Sequence, residues 1–177
     1  NGDLWLTGRD KDIIIRGGHN IDAASIEDSL LAHPAVSDAA AVGLPDARVG
    51  ELPMAFVSLA AGHTATEAEL AAFARDHADE PAAAPVRVVI LDTLPRTAMN
   101  KIFKPELRRR ALELAIAPLL PAGLPAGAIN VQLEEYGDLH VCVQPVAADL
   151  SALGDFLSRI SVRQSLLAAR PQGVFHA

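Results

Sequence analysis

The sequence predicts an α+β fold: a small antiparallel or mixed sheet with flanking helices, opened by an N-terminal β-hairpin and followed by an appended β-β-α unit. Three observations carry this expectation. Short apolar, β-tolerant runs alternate with amphipathic stretches through residues 1–117. Helix start signals sit where the amphipathic stretches begin. Pro118 to Gly127 then places three prolines and two glycines in one short segment, ahead of a tail with its own strand and helix pattern. The expected organisation is a domain over 1–117, a Pro/Gly-rich linker over 118–128 and the appended unit over 129–177.

The elements follow in order. Leu4-Trp5-Leu6-Thr7 and Ile13-Ile14-Ile15-Arg16 flank a charged turn and read as a two-stranded hairpin. Asp22 suits the N-cap of a helix over 23–33, with Ile26, Leu30 and Leu31 on one face and Pro34 ending it. Val36 to Leu44 is a β-tolerant run, Pro45 to Arg48 a turn, and Pro53 to Leu59 a second strand antiparallel to the first. Thr66 and Glu69 form a capping box that opens a helix to His77. Pro81 to Pro85 is a rigid connection, and Val86 to Leu91 a third strand. Pro105 suits the first turn of a basic helix over 105–115. In the tail, Ile129 to Glu135 and Leu139 to Gln144 read as a hairpin across Tyr136-Gly137-Asp138. A helix to Arg163 follows Asp149-Leu150-Ser151.

Composition narrows the function. Half of the 177 residues are hydrophobic but only 4% are aromatic, so small mixed layers are expected rather than one large core. The net charge of −7 argues against nucleic acid or an anionic membrane as the main partner. The one cysteine, Cys142, permits no intrachain disulfide and suits a reducing, cytoplasmic setting. No apolar stretch is long enough to span a bilayer. The histidines are scattered without metal-ligand spacing, and no metal site is expected. There is no GxxxxGK[ST], GxGxxG or HExxH run. A chain that begins at Asn1 without a charged leader is expected to be a fragment whose native start lies upstream.

The most informative run is Leu94-Pro-Arg-Thr-Ala-Met-Asn-Lys-Ile-Phe-Lys104, which sets Lys101 in a short loop between an apolar strand and a basic helix. A lysine so placed can neutralise charge that develops on a substrate, although a solvated surface lysine has the same local pattern. Upstream lies Gly8-Arg-Asp-Lys-Asp-Ile-Ile-Ile-Arg-Gly-Gly-His-Asn-Ile21. In this order and spacing the two motifs resemble the C-terminal domain of the adenylate-forming enzymes. That superfamily holds acyl-CoA synthetases, nonribosomal-peptide adenylation domains and luciferases. The resemblance covers roughly residues 2–113. Within the superfamily, the run from Lys101 to Arg108 with Ile15 to Ile21 is most similar to bacterial fatty-acyl-CoA synthetases.

The resemblance implies roles. Lys101 would enter the active site for adenylation, where a carboxylate attacks the α-phosphate of ATP. Lys11, between Arg9 and Asp12, would be the hinge about which the domain swings. Arg9 would lie near the nucleotide, with a salt bridge to Asp12 or Glu27 as the competing use of its guanidinium. Gly17, Gly18 and His19 would line the tunnel for the pantetheine arm of CoA. Glu27 would anchor this loop. Asn20 stands where some members carry a phosphate-binding basic residue. Lys104 with Arg108, Arg109 and Arg110 could meet CoA phosphates, a solvated helix face being the alternative. The sequence departs from the family at Asn100, where glycine usually precedes the lysine; asparagine tolerates left-handed backbone.

The expected protein is therefore the mobile C-terminal domain of an ATP-dependent acid–thiol ligase that forms acyl-AMP and then acyl-CoA. ATP, with Mg, would be held mainly by the N-terminal domain of the same parent chain, and CoA would be the second substrate. The acid would be a fatty or related carboxylic acid. The fragment alone is expected to be inactive. Two other classes compete: an adenylation domain that serves a carrier protein, and a non-catalytic interaction module. The tail pattern suits a small-molecule sensor or an oligomer contact, with a homo-oligomer as the assembly that contact would build.

Overall fold

A computed structural model describes residues 12–134, 138–144 and 148–160, and the backbone of 163–166. The first sheet holds β1 (Ile13–Arg16), β2 (His19–Asp22), β3 (Val36–Asp46), β4 (Gly50–Leu59) and β5 (Arg87–Ile90). Its order is β2-β1-β4-β3, with β5 on β4. All pairings are antiparallel except β4 with β5, which is parallel because α2 lies between them as a crossover. Three helices accompany this sheet: α1 (Ala23–Leu31), α2 (Glu67–Asp76) and α3 (Lys104–Ile116).

The long apolar runs of β3 and β4 are explained by burial on both faces. Ala39, Ala41, Ala55 and Val57 pack with Ile26 and Leu30 of α1 and Leu70 and Ala74 of α2. The alternate residues Ala40, Val42, Met54 and Phe56 pack with Leu107 and Ala111 of α3. Many of these residues are alanine, so the helices can sit close to the strands with few large side chains.

The helix starts follow their expected chemistry. Asp22 caps α1 by accepting from the Ala24 amide at 3.0 Å. Thr66 and Glu69 form the reciprocal capping box of α2, with Glu69 N–H donating to Thr66 at 3.2 Å and Thr66 N–H donating to Glu69 at 2.8 Å. These bonds hold the Glu69 carboxyl below its usual range, with the Thr66 amide the main cause. Pro105 stands in the first turn of α3.

The described N-terminal hairpin is the one that Ile13–Arg16 makes with the strand after it. Ile13–Arg16 pairs with His19–Asp22 across a two-residue turn at Gly17-Gly18. Leu4-Trp5-Leu6-Thr7 lie outside the described residues. The reason for the pairing is the turn: Gly17 and Gly18 take φ of 57° and 87°, and two positive φ values close a tight hairpin with the twist of its strands.

The tail forms a second sheet of β6 (Ile129–Leu133), β7 (Leu139–Val143) and β8 (Arg163–Leu166), with α4 (Ser151–Leu157) between β7 and β8. The unit is therefore β-β-α-β, one strand more than expected. The helix reaches Leu157 rather than Arg163, and the chain turns back to lay β8 parallel to β7. Tyr136 and Gly137 of the expected hairpin turn lie outside the described residues.

Leu112 and Ile116 of α3 belong to the core of this tail. They cluster with Val131, Val141, Leu153 and Leu157. One face of α3 thus serves the first sheet and another serves the second. Leu112 has no solvent exposure, so Leu112→Ala is expected to cost about 2–5 kcal/mol through lost burial and a cavity. Urea unfolding of the chain, with proteolysis of the tail as a second readout, checks this. A change below about 1 kcal/mol would contradict a shared core.

Candidate functional site

The lysine loop starts from Leu94, which is buried among Phe56, Leu107 and Ala111, and ends at the partly buried Ile102 on the same cluster. Between these anchors Arg96 bridges to Ile102 as a miniature ladder. The apex is closed by Asn100 N–H donating to the Thr97 carbonyl at 2.9 Å and Thr97 N–H donating to the Lys101 carbonyl at 2.8 Å. The Lys101 amide donates to the Thr97 hydroxyl at 3.2 Å. Asn100 has φ of 61°, alone among the described non-glycine residues in the left-handed region. The turn that glycine would permit is thus made by asparagine, at modest conformational cost.

The result is a rigid backbone under an exposed side chain. Both polar backbone groups of Lys101 are used inside the loop, and among the described residues its ammonium has no ion-pair partner. Met99, beside it at the apex, is 78% exposed. Arg96 ties the apex to the sheet: its guanidinium donates to the Asn100 carbonyl at 2.8 Å and to Asp38 of β3 at 2.6 Å.

The Gly17-Gly18 turn is built separately. Gly17 N–H donates to the Val49 carbonyl at 2.7 Å, and Arg16 pairs with Gly50 at the start of β4. The Ile15 amide donates to the Glu51 carboxylate at 3.0 Å. That carboxylate fits because Gly43 across from it has no side chain; a Cβ there would collide with it. The Arg16 guanidinium donates to the Ala82 carbonyl at 2.8 Å. Side chains at Gly17 or Gly18 would meet nothing within 4 Å, so the turn presents bare backbone to solvent. His19 and Asn20 are exposed beside it.

The structure does not bring these two sites together. The glycine turn is fixed at Gly50, where β4 begins, while Arg96 is fixed at Asp38, which pairs with Ser58 near the end of β4. Gly50 to Ser58 spans about 26 Å of strand at roughly 3.3 Å per residue. Lys101 and Gly17-Gly18 thus belong to opposite ends of the β3–β4 ribbon.

The basic cluster of α3 is engaged in ion pairs. Lys104 contacts Glu27 at 2.8 Å and Asp12 at 3.6 Å, and Arg108 contacts Asp12 at 3.4 Å. Arg109 forms a two-pronged pair with Glu106 at 2.7 and 2.8 Å and also pairs with Glu113, while Arg110 reaches Glu106 at 3.2 Å. The Arg109 guanidinium holds the Glu106 carboxyl below its ordinary range, and Glu106 raises Arg109 in turn. Glu27 also accepts the Ala41 amide at 2.8 Å, so it links α1, β3 and α3 rather than the glycine turn. Arg9 and Lys11 lie outside the described residues. Among the described residues Asp12 pairs with Lys104 and Arg108, and Glu27 pairs with Lys104.

Arg96 and Asp38 were not singled out from the sequence. Arg96 stands inside the lysine motif, and Ser37-Asp38 interrupts an otherwise apolar strand. Their contact spans 58 positions and depends on the path of the loop over β3. Among the described residues no group of three or more His, Cys, Asp or Glu side chains is arranged to hold a metal ion. Nor is any described helix long and apolar enough to cross a membrane.

Comparison with known proteins places the chain among the following relatives. Residues 25–101 match the model of the AMP-binding enzyme C-terminal domain. The chain is 49% identical over 122 residues to the marinolic acid–CoA ligase of a Pseudoalteromonas species, covering 69% of this chain and 19% of that protein. It is 40% identical over 111 residues to the acetyl-coenzyme A synthetase of Streptomyces coelicolor, covering 61% of this chain and 17% of that one. The crystal structure of apo MatB from Rhodopseudomonas palustris superposes with a TM-score of 0.57 at 34% identity, over 61% of this chain and 21% of that chain. The chain thus spans about a fifth of the length of these relatives. It carries the AMP-binding enzyme C-terminal domain, the C-terminal domain of the adenylate-forming superfamily.

Proposed function

We propose that the chain is the mobile domain of a two-step acid–CoA ligase and supplies a different end to each step. In the first step a carboxylate attacks the α-phosphate of ATP, forming acyl-AMP and releasing pyrophosphate. Lys101 would stabilise the negative charge gathered there, from a loop that needs little reorganisation. In the second step the CoA thiol attacks the acyl-AMP carbonyl and AMP leaves. The bare Gly17-Gly18 backbone, with His19, would line the path of the pantetheine arm.

The observation that supports this reading is that the two motifs are anchored at opposite ends of β4, one at Gly50 and one beside Ser58, about 26 Å apart along the strand. Two groups so far apart on one rigid ribbon cannot serve one small reaction centre at once. The domain must turn between steps. A hinge at Lys11 fits, because the next residue, Asp12, is already fastened to α3 by Lys104 and Arg108. Arg9, on the other side of that hinge, would meet the nucleotide. ATP and its Mg would be held mainly by the N-terminal domain of the parent chain, and the acid would be fatty or related. The tail, sharing Leu112 and Ile116 with α3, would move with the domain and is the surface on which we place any contact between copies. A cytoplasmic setting fits the use of ATP and CoA and the one buried cysteine.

The test uses the full-length parent with ATP and a panel of short, medium and long acids. Pyrophosphate release that depends on at least one acid is expected, followed by thioester formation when CoA is added. No release with any acid would put the non-catalytic reading ahead. Acyl transfer to a carrier protein but not to CoA would favour the carrier-protein alternative.

A further inference from the structure

We infer that Arg96 is the positioning residue for Lys101, acting through a clamp that joins Asp38, Arg96 and the Asn100 carbonyl. The inference rests on the adenylation role proposed for Lys101 and adds how the fold aims that lysine.

Lys101 follows directly after the left-handed residue Asn100. A left-handed asparagine can relax to ordinary backbone, and that would redirect every atom after it. Three bonds oppose this. Thr97 binds the Lys101 amide through its hydroxyl and the Lys101 carbonyl through its own amide. The third bond comes from outside the turn: Arg96 binds the carbonyl of Asn100, the group that precedes the Lys101 amide. The peptide unit leading into the lysine is therefore held from both sides.

The other arm of the guanidinium carries this restraint to the edge strand β3 and, through it, to the end of β4. Asp38 accepts from Arg96 at 2.6 Å and from the Ser58 hydroxyl at 3.3 Å. Ser58 is buried and shares a hydrogen bond of 2.9 Å with Ser37. The chain of contacts runs from β4 through β3 to the apex of the lysine loop. A planar guanidinium can bridge two acceptors with fixed geometry, which an ammonium cannot. The Arg96–Asp38 pair is itself about one-third exposed. Such pairs add little to overall stability, so stability alone does not explain the arrangement. Its consequence is geometric.

The experiment uses the full-length parent and five variants: Arg96→Met, Arg96→Lys, Asp38→Asn, Lys101→Ala and the double variant Arg96→Met with Asp38→Asn. Each half-reaction is measured separately, with kcat and KM for ATP in the first. Misplacing a reacting group by about 1 Å can cost about 100-fold. Arg96→Met is expected to lower kcat for pyrophosphate release about 10- to 100-fold with KM changed less than about twofold. Thioester formation from supplied acyl-AMP should stay within about twofold of the parent. Asp38→Asn and Arg96→Lys should lose less in the same step, and Asp38→Asn should add nothing to Arg96→Met. Losses confined to KM, equal losses in both half-reactions, or additive effects of the two partners would overturn the clamp. An intact first step in Arg96→Met beside a lost one in Lys101→Ala would overturn it alone. Lys101→Ala with full pyrophosphate release would instead remove the adenylation role and the clamp with it.

Discussion

Replacing Lys101 by alanine in the full-length protein should lower acid-dependent pyrophosphate release by about 100- to 1,000-fold, the cost of removing one preorganised charge-stabilising group. The argument is physical. Two anions, a carboxylate and a nucleotide phosphate, must approach within bonding distance, and a cation held in place beforehand lowers that barrier without reorganising. Lys101 meets the structural conditions. Its backbone is locked by Thr97, the preceding carbonyl is held by Arg96, and among the described residues its ammonium meets no carboxylate. Lys104, three residues on, offers a contrast: it is pinned between Glu27 and Asp12 and serves the fold. The same Lys101→Ala variant should form thioester from supplied acyl-AMP and CoA at close to the parent rate. Substrate saturation curves for each half-reaction measure both effects.

The second large effect is expected at Gly18. Its φ of 87° is costly for any other residue, yet a Cβ there would touch nothing within 4 Å. Gly18→Ala therefore introduces backbone strain of roughly 1–2 kcal/mol with no internal clash. Gly18→Leu adds bulk outside the turn, where the pantetheine arm would pass. Gly18→Leu should lower thioester formation by about 100-fold. Gly18→Ala should show a smaller loss, and both should spare pyrophosphate release. If Gly18→Ala and Gly18→Leu were equally impaired, strain in the hairpin and not occlusion would be the cause.

Much of this architecture is legible in the residues. The caps at Asp22 and Thr66 are local chemistry, with donor and acceptor two or three positions apart, and both helices start where those residues place them. The asparagine before Lys101 does adopt the left-handed backbone that its residue type permits. What escaped notice depends on distant partners or on weak patterns. His19-Asn-Ile-Asp22 has one inward residue, Ile21, so its apolar signal as a strand is slight; the Gly17-Gly18 turn makes it one. The helix α4 ends at Leu157 with Ser158 as its C-cap, and β8 then completes a sheet whose parallel pairing no local pattern announces. The candidate site divides in the same way. Lys101 and the glycine pair stand out as motif residues. The bridge from Arg96 to Asp38 arises from the path of the loop over β3, and the placement of the two motifs at opposite ends of β4 from the pairing of β4 with β1 and β3.

The central claim is that the two ends of one ribbon serve two different steps. The most direct test measures both half-reactions in Lys101→Ala and Gly18→Leu variants of the full-length protein, side by side. The account predicts a crossed result: the first variant loses pyrophosphate release and keeps thioester formation, and the second does the reverse. Both variants losing both steps to the same extent would contradict it.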